Sequence, residues 1–141
     1  MMNQNELKKQ VLTLLQESRI GTMATIHDNK PRSRYMTFFN DDLTLYTVTS
    51  KDMHKTEDIK QNPYTHILLG YEGEGIGDTY VEVEGKVVES DDENLKEKVW
   101  NEHLEPWFDG PEDPNLLILQ IKPDQIQLMN KKGQSPQILD L

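Results

Sequence analysis

Arg32-Ser33-Arg34-Tyr35-Met36-Thr37-Phe38-Phe39, then Asn40-Asp41-Asp42, then Leu43-Thr44-Leu45-Tyr46-Thr47-Val48-Thr49: the fold is read from this stretch. Its flanks are rich in β-branched and aromatic residues, which suit a pleated, half-buried surface. The polar triplet between them has turn chemistry. The stretch therefore predicts two antiparallel strands, 32–39 and 43–49, joined as a hairpin. Side chains alternate across a strand. Arg32, Arg34, Met36 and Phe38 thus share one face, and Ser33, Tyr35, Thr37 and Phe39 the other.

Toward the N-terminus, residues 20–27 alternate in the same way, and His27-Asp28-Asn29-Lys30-Pro31 has hairpin-turn composition. The three strands make a meander. Ahead of them Leu7, Val11, Leu14 and Leu15 form one apolar stripe at helical spacing, which predicts a helix over 4–18 that ends near Gly21. Toward the C-terminus, residues 51–61 read as a helix stopped by Asn62-Pro63. Strands follow over 64–71 and 79–89, separated by a glycine-rich turn over 72–78. Ser90 and Glu93 have capping-box spacing, so Ser90 is expected to cap a helix carrying Leu95, Val99 and Trp100. A loop dense in breakers spans 107–114. Two last strands, 116–121 and 125–129, are split at Lys122-Pro123-Asp124, and a polar tail over 131–141 reads as loosely ordered. Seven short strands with hairpin-length turns and three helices predict a mostly β (α+β) chain. The expected arrangement is one domain over 1–141, with a curved or closed antiparallel sheet and peripheral helices that hide its edges.

The chain's 15 Lys+Arg stand against 25 Asp+Glu, a net charge of −10 over 141 residues. That balance argues against a nucleic-acid or anionic-membrane binder, because phosphate backbones attract broad basic faces. Cysteine is absent, which removes disulfides, thiolate metal sites and a cysteine nucleophile. The four histidines show no metal-ligand spacing, so no metal is expected. No basic-then-apolar leader and no apolar run of about 18 residues is visible, so a cytoplasmic location away from membranes is expected.

Against that acidic background, two of the three arginines, Arg32 and Arg34, lie one residue apart. An isolated pair of this kind is most often two solvated strand charges. Thr49-Ser50-Lys51-Asp52-Met53-His54-Lys55 shifts the balance. Ser50 stands where a strand ends and a helix is expected to begin, and helix N-termini present free N–H groups to anions. Ser50 reads either as a plain N-cap or as a ligand, and Lys51 and Lys55 share one helical face. An Asn40-Asp41-Asp42 turn would set Thr37 opposite Tyr46 and Arg34 opposite Thr49. Arg32, Arg34 and the Ser50-Lys51 corner would then meet, a good site for a phosphate dianion.

This ordered set of segments, with Trp107-Phe108-Asp109-Gly110-Pro111-Glu112-Asp113-Pro114 after it, resembles the split β-barrel flavoproteins related to pyridoxamine 5′-phosphate oxidase, most closely their bacterial general stress protein branch. The resemblance implies an antiparallel split β-barrel with flanking helices, forming a homodimer that binds FMN at the subunit interface. It implies that Arg32, Ser33, Arg34, Tyr35 and Met36 line FMN, with Tyr46 and Thr47 beside the flavin. Thr49, Ser50 and Lys51, with Lys55, would serve the phosphate, and Trp107 would lie near the ring. An oxidoreductase fed by NAD(P)H or another reduced donor is one implied function; a non-catalytic flavin-sequestering stress protein is the other. A cofactor-free interaction barrel is a third reading. Oxidation of pyridoxamine phosphate itself is not expected, because no arginine follows Arg34 where that enzyme carries one for its substrate. The family's aromatic element near the C-terminus reads Gln127-Leu128-Met129-Asn130 here, and Asp109 stands where the branch often has proline.

Overall fold

The strand-turn-strand stretch is a hairpin, but its register is set two residues later than its composition suggests. The computed structural model describes residues 2–73 and 77–141, without the side chains of His54, Lys55 and Lys132. Strand β1 (Ile20–His27) turns into β2 (Lys30–Asp41) through Asp28 and Asn29, whose φ values of 48° and 63° make the primed turn that matches strand twist. β2 turns into β3 (Thr44–Ser50) at Asp42, with φ 52°. Because the left-handed residue is Asp42, Asn40 and Asp41 stay in the strand, and Phe38 pairs with Thr47 and Asp41 with Thr44. The expected Arg34–Thr49 pairing is therefore replaced by a ladder that stops at Phe38–Thr47.

The remaining strands are β4 (Tyr64–Leu69), β5 (Tyr80–Ser90), β6 (Leu116–Met129) and β7 (Gln137–Leu139). Their order is β3-β2-β1-β4-β5-β6-β7, and β3 also pairs with β6, which closes a six-stranded antiparallel barrel with β7 added on β6. The two strands expected over 116–121 and 125–129 are one. Pro123 lacks an N–H, yet it sits where the β5–β6 register shifts between Glu84 and Gly85, and such a bulge tolerates proline. The tail expected to be loose carries β7 instead. Leu139 and Gln137 are buried, Gln4 Nε2 donates to the Ile138 carbonyl at 3.2 Å, and the Asp140 N–H donates to Gln4 Oε1 at 2.8 Å. The 72–78 turn falls partly outside the described residues, at 74–76.

Helix α1 (Gln4–Glu17) is capped by Asn3, whose Oδ1 accepts from the Glu6 N–H at 2.9 Å, and it sends Leu7, Val11 and Leu15 into the barrel core. Helix α2 (His54–Gln61) bridges β3 to β4 and packs on β1, with Ile59 in the same core. It begins later than expected. Ser50 Oγ instead accepts from the Asp52 N–H at 3.3 Å in a local turn, and Met53 is the cap residue. Helix α3 (Glu93–Val99) is capped by Asp92 rather than Ser90; Asp92 Oδ1 accepts from the Asn94 and Leu95 N–H groups, while Ser90 ends β5. α3 covers the outer face of β3 and β6, where Val99, Leu116 and Ile118 form a second buried cluster with Tyr46, Phe39, Trp100 and Phe108 against it. No helix among the described residues is long and apolar enough to cross a membrane.

Candidate functional site

Where the β2–β3 ladder ends, the two strands part. The first eight residues of β2 pair with β1, while β3 from Thr47 to Ser50 pairs with β6. Thr47 Oγ1 ties the last rung by donating to the Thr37 carbonyl at 2.7 Å. Beyond it the barrel wall is split, and the lips carry Arg34 and Met36 on one side and Thr49 on the other. Strand alternation puts these on the inward face that also carries Phe38 and Leu45.

Polar atoms on that inward face lack partners. Arg34 Nη1, Thr49 Oγ1 and, on β1, Thr25 Oγ1 are buried without a hydrogen bond, although Thr25 and Thr49 are at most 4% exposed. Thr25 pairs with Arg32, two residues along the ladder from Met23–Arg34. Buried polar groups are normally paired, so three unpaired donors near one opening ask for an acceptor from outside the fold. Burial holds the Arg34 guanidinium below its ordinary range; the charge of Asp58 opposes that shift and the charge of Arg32 adds to it. Asp58 is itself buried on α2, and its Oδ1 lies 2.6 Å from His27 Nδ1. Asp28 approaches the other ring nitrogen at 3.3 Å. α2 is thereby fastened over this end of β1.

The structure brings together Arg32, Arg34, Met36, Thr47 and Thr49 of the expected residues. Ser50 lies at the end of the same strand, with Oγ occupied by the Asp52 N–H. Lys51 turns its ammonium to Asp91 at 3.3 Å, and Asp91 also holds the buried Lys96 at 3.1 Å. The bond from Lys96, and less strongly that from Lys51, holds the Asp91 carboxyl below the usual range. The Lys55 side chain lies outside the described part of the structure. Ser33 and Tyr35 face outward, Tyr35 being 80% exposed. Tyr46 is separated from Thr47 by strand alternation and packs under α3. Trp107 is 78% exposed, while its neighbours Trp100 and Phe108 pack. Among the described residues no group of acidic and histidine side chains could hold a metal.

Sequence reading missed Thr25, His27 and Asp58. Thr25 shares its strand face with Met23 two residues before it, a signal that was available. The burial of Asp58 depends on what α2 covers, and no local pattern carries that. Two surface cavities, of about 390 and 280 Å³, lie on outer faces of the sheet, and neither is lined by Arg34 or Thr49.

An antiparallel barrel split between its second and third strands, with basic and hydroxyl side chains on the lips, defines the split β-barrel class. Residues 7–130 match the pyridoxamine 5′-phosphate oxidase family, and the chain belongs to that family. General stress protein 26 of Bacillus subtilis (strain 168) is 53% identical over 140 residues, covering 99% of this chain and all of the relative. The crystal structure of the General Stress Protein 26 from Bacillus anthracis str. Sterne is 38% identical with a TM-score of 0.87, over 96% of this chain and 99% of that one. A FAD-binding protein from Mesorhizobium loti shares the fold at 22% identity and a TM-score of 0.69, over 86% of this chain and 92% of its own.

Proposed function

We propose that this protein is an FMN-binding flavoprotein that moves electrons from a reduced donor, NAD(P)H or another, to an acceptor. The observation that carries the reading is the pair of buried, unpartnered donors Arg34 Nη1 and Thr49 Oγ1 on opposite lips of the split. They suit the oxygens of a phosphate, and a guanidinium gives charge-assisted bonds to that group. Arg32 adds charge beside Arg34, Met36 offers an apolar surface along the strand, and Ser50 stands at the strand end. Lys51 joins the phosphate when Asp91 releases it, and Lys55 follows on the same segment. When bound, the flavin supplies the redox chemistry; the protein's residues bind, orient and enclose it. The name of the fold neighbour from Mesorhizobium loti agrees with a flavin ligand of some kind.

The functional unit is a homodimer with FMN at the interface. Its support is the outer face of β2, β1 and β4, where Tyr35, Ile20 and Tyr64 are 80%, 68% and 57% exposed. A second copy would cover that face and bring Tyr46 and Trp107 of one chain toward the flavin of the dimer. A role in the stress response fits the relatives' names, and the same reading sets the protein in the cytoplasm and does not include pyridoxamine phosphate oxidation.

The test is a titration of flavin-free protein with FMN, followed by flavin fluorescence. Arg34→Ala should lose at least about 2 kcal/mol of binding, roughly 30-fold in Kd. Equal affinity in wild type and Arg34→Ala would overturn the assignment. Turnover of NADH or NADPH by the loaded protein separates an oxidoreductase from a flavin-sequestering protein.

A further inference from the structure

Asp58, on α2, is a buried carboxylate to which the flavin reading gives no part. Its helix packs on β1, where Met23, Thr25 and His27 alternate onto one face. Arg34, Arg32 and Lys30 of β2 stand opposite these three in the ladder, in that order. Opposed residues of an antiparallel pair share a face. Three cations therefore line the face to which Asp58 is tied, its Oδ1 lying 2.6 Å from His27 Nδ1.

None of the three cations has a carboxylate within ion-pair distance among the described residues. Lys30 and Arg32 are exposed to solvent. Arg34 is half-buried, with Nη1 enclosed and unpartnered. A guanidinium drawn out of water beside a second one calls for a counter-charge. The charge of Asp58 supplies one, acting on Arg34 against the effects of burial and of Arg32. The bond to His27 holds that carboxylate short of contact, so the guanidinium is compensated without being occupied. The other charges nearby lie in solvent. Glu57 and Lys60 on α2 are exposed, and Asp28, 3.3 Å from His27 Nε2, is 82% exposed.

We propose that Asp58 is an internal counter-ion of Arg34 that competes with the ligand's phosphate, and so limits how tightly the split holds a phosphate monoester. The inference takes its ligand from the flavin reading and adds a residue that lies on neither lip. A phosphate brought to Arg34 meets the Asp58 carboxylate as well, and like charges on a partly buried face repel more strongly than in water. Salt screens such a pair less than it screens surface charges. Asp58 therefore stabilises the fold and weakens the ligand through the same interaction. A residue that only held α2 in place would do the first and have no reason to do the second.

The test has a ligand-free arm and a flavin arm, both on the full-length chain. In urea unfolding of flavin-free protein, Asp58→Asn should destabilise wild type more than it destabilises Arg34→Ala, by about 5-fold or more in the unfolding constant. In titrations with FMN, Asp58→Asn should bind about 3-fold or more tighter than wild type, although it is the less stable protein. Asp58→Asn keeps the volume and an acceptor for His27, so it removes the charge and little else. Equal effects of Asp58→Asn in the two backgrounds would overturn the proposal. So would coupling accompanied by unchanged or weaker FMN binding, the result expected of a purely structural Asp58. Failure of wild type and Asp58→Asn alike to bind FMN would overturn the flavin reading instead, and the ligand-free cycle would still decide whether Asp58 is the counter-ion.

Discussion

Thr47 holds Thr37 at the point where the hairpin opens: the Thr47 hydroxyl, 1% exposed, donates to the Thr37 carbonyl at 2.7 Å, one residue past the last rung of the ladder. Thr47→Val keeps the shape and the β-branch but removes the donor. The loss should be about 1–2 kcal/mol, the cost of leaving a partly buried carbonyl without its bond. Urea unfolding should show a lower midpoint with an unchanged slope. On the proposed flavin reading FMN affinity should also fall, because this bond joins the two strands where they part. An unchanged midpoint would mean that solvent replaces the bond freely.

Asp58 and His27 give a second prediction. The buried Asp58 carboxylate fastens α2 to β1 through His27 Nδ1 at 2.6 Å. Asp58→Ala should cost about 2–3 kcal/mol, and Asp58→Asn, which keeps an acceptor and the volume, about 1 kcal/mol. A double-mutant cycle with His27→Ala should return a coupling of about 1 kcal/mol or more. Additive single and double mutants would show that α2 is held by Ile59 and its packing alone.

The contrast between these pairs shows what the sequence discloses. Alternation along β2 places Arg32, Arg34, Met36 and Phe38 on one face, and that survives in the structure because the side-chain period of a strand is fixed. Helix α1 is legible for a similar reason: Leu7, Val11 and Leu15 repeat at the helical period. The hairpin register was not legible, because any of Asn40, Asp41 and Asp42 can take a left-handed φ and only the three-dimensional match chooses Asp42. Pro123 reads as a break, and only the facing Gly85 shows that a bulge absorbs it. β7 is only three residues long and sits in a polar tail, so it does not announce itself; its order comes from α1 and β6. The Lys51–Asp91 pair joins residues 40 apart, and no local pattern carries it.

Asp91 also predicts a pH dependence. Its bonds to Lys96 and Lys51 lower its folded-state value from the usual 3.8. A carboxyl depressed on folding contributes stability that is fully present above 3.8 and is lost as pH falls through the lower folded value. Asp91 is 61% exposed, so solvent screening limits the contribution to about 1 kcal/mol or less. Asp91→Asn should remove this increment near neutral pH and flatten the acid limb of the stability curve below that window. At neutral pH it should also free Lys51 and tighten FMN binding by about 2–5-fold, if the released ammonium turns to the phosphate. Weaker binding would instead mean that Asp91 orients Lys51 for the ligand.

Gly85 tests the bulge. A Cβ there would stand 2.4 Å from the Lys122 carbonyl oxygen and 3.1 Å from the Pro123 Cα, both backbone atoms of β6. Neither can swing aside as a side-chain tip could, so β5 and β6 must separate where they wrap the core between Val83 and Val87. Gly85→Ala should therefore destabilise the fold by about 2–3 kcal/mol, an overpacking cost. Loss of strand propensity does not account for such an effect, because alanine has a smaller entropic penalty than glycine. Gly110→Ala is the matched control: nothing lies within 4 Å of its Cβ, so its effect should stay within about 0.5 kcal/mol. If the two variants unfold at the same urea concentration, the bulge has room that the close approach of Lys122 denies, and Pro123 must be accommodated by some other means.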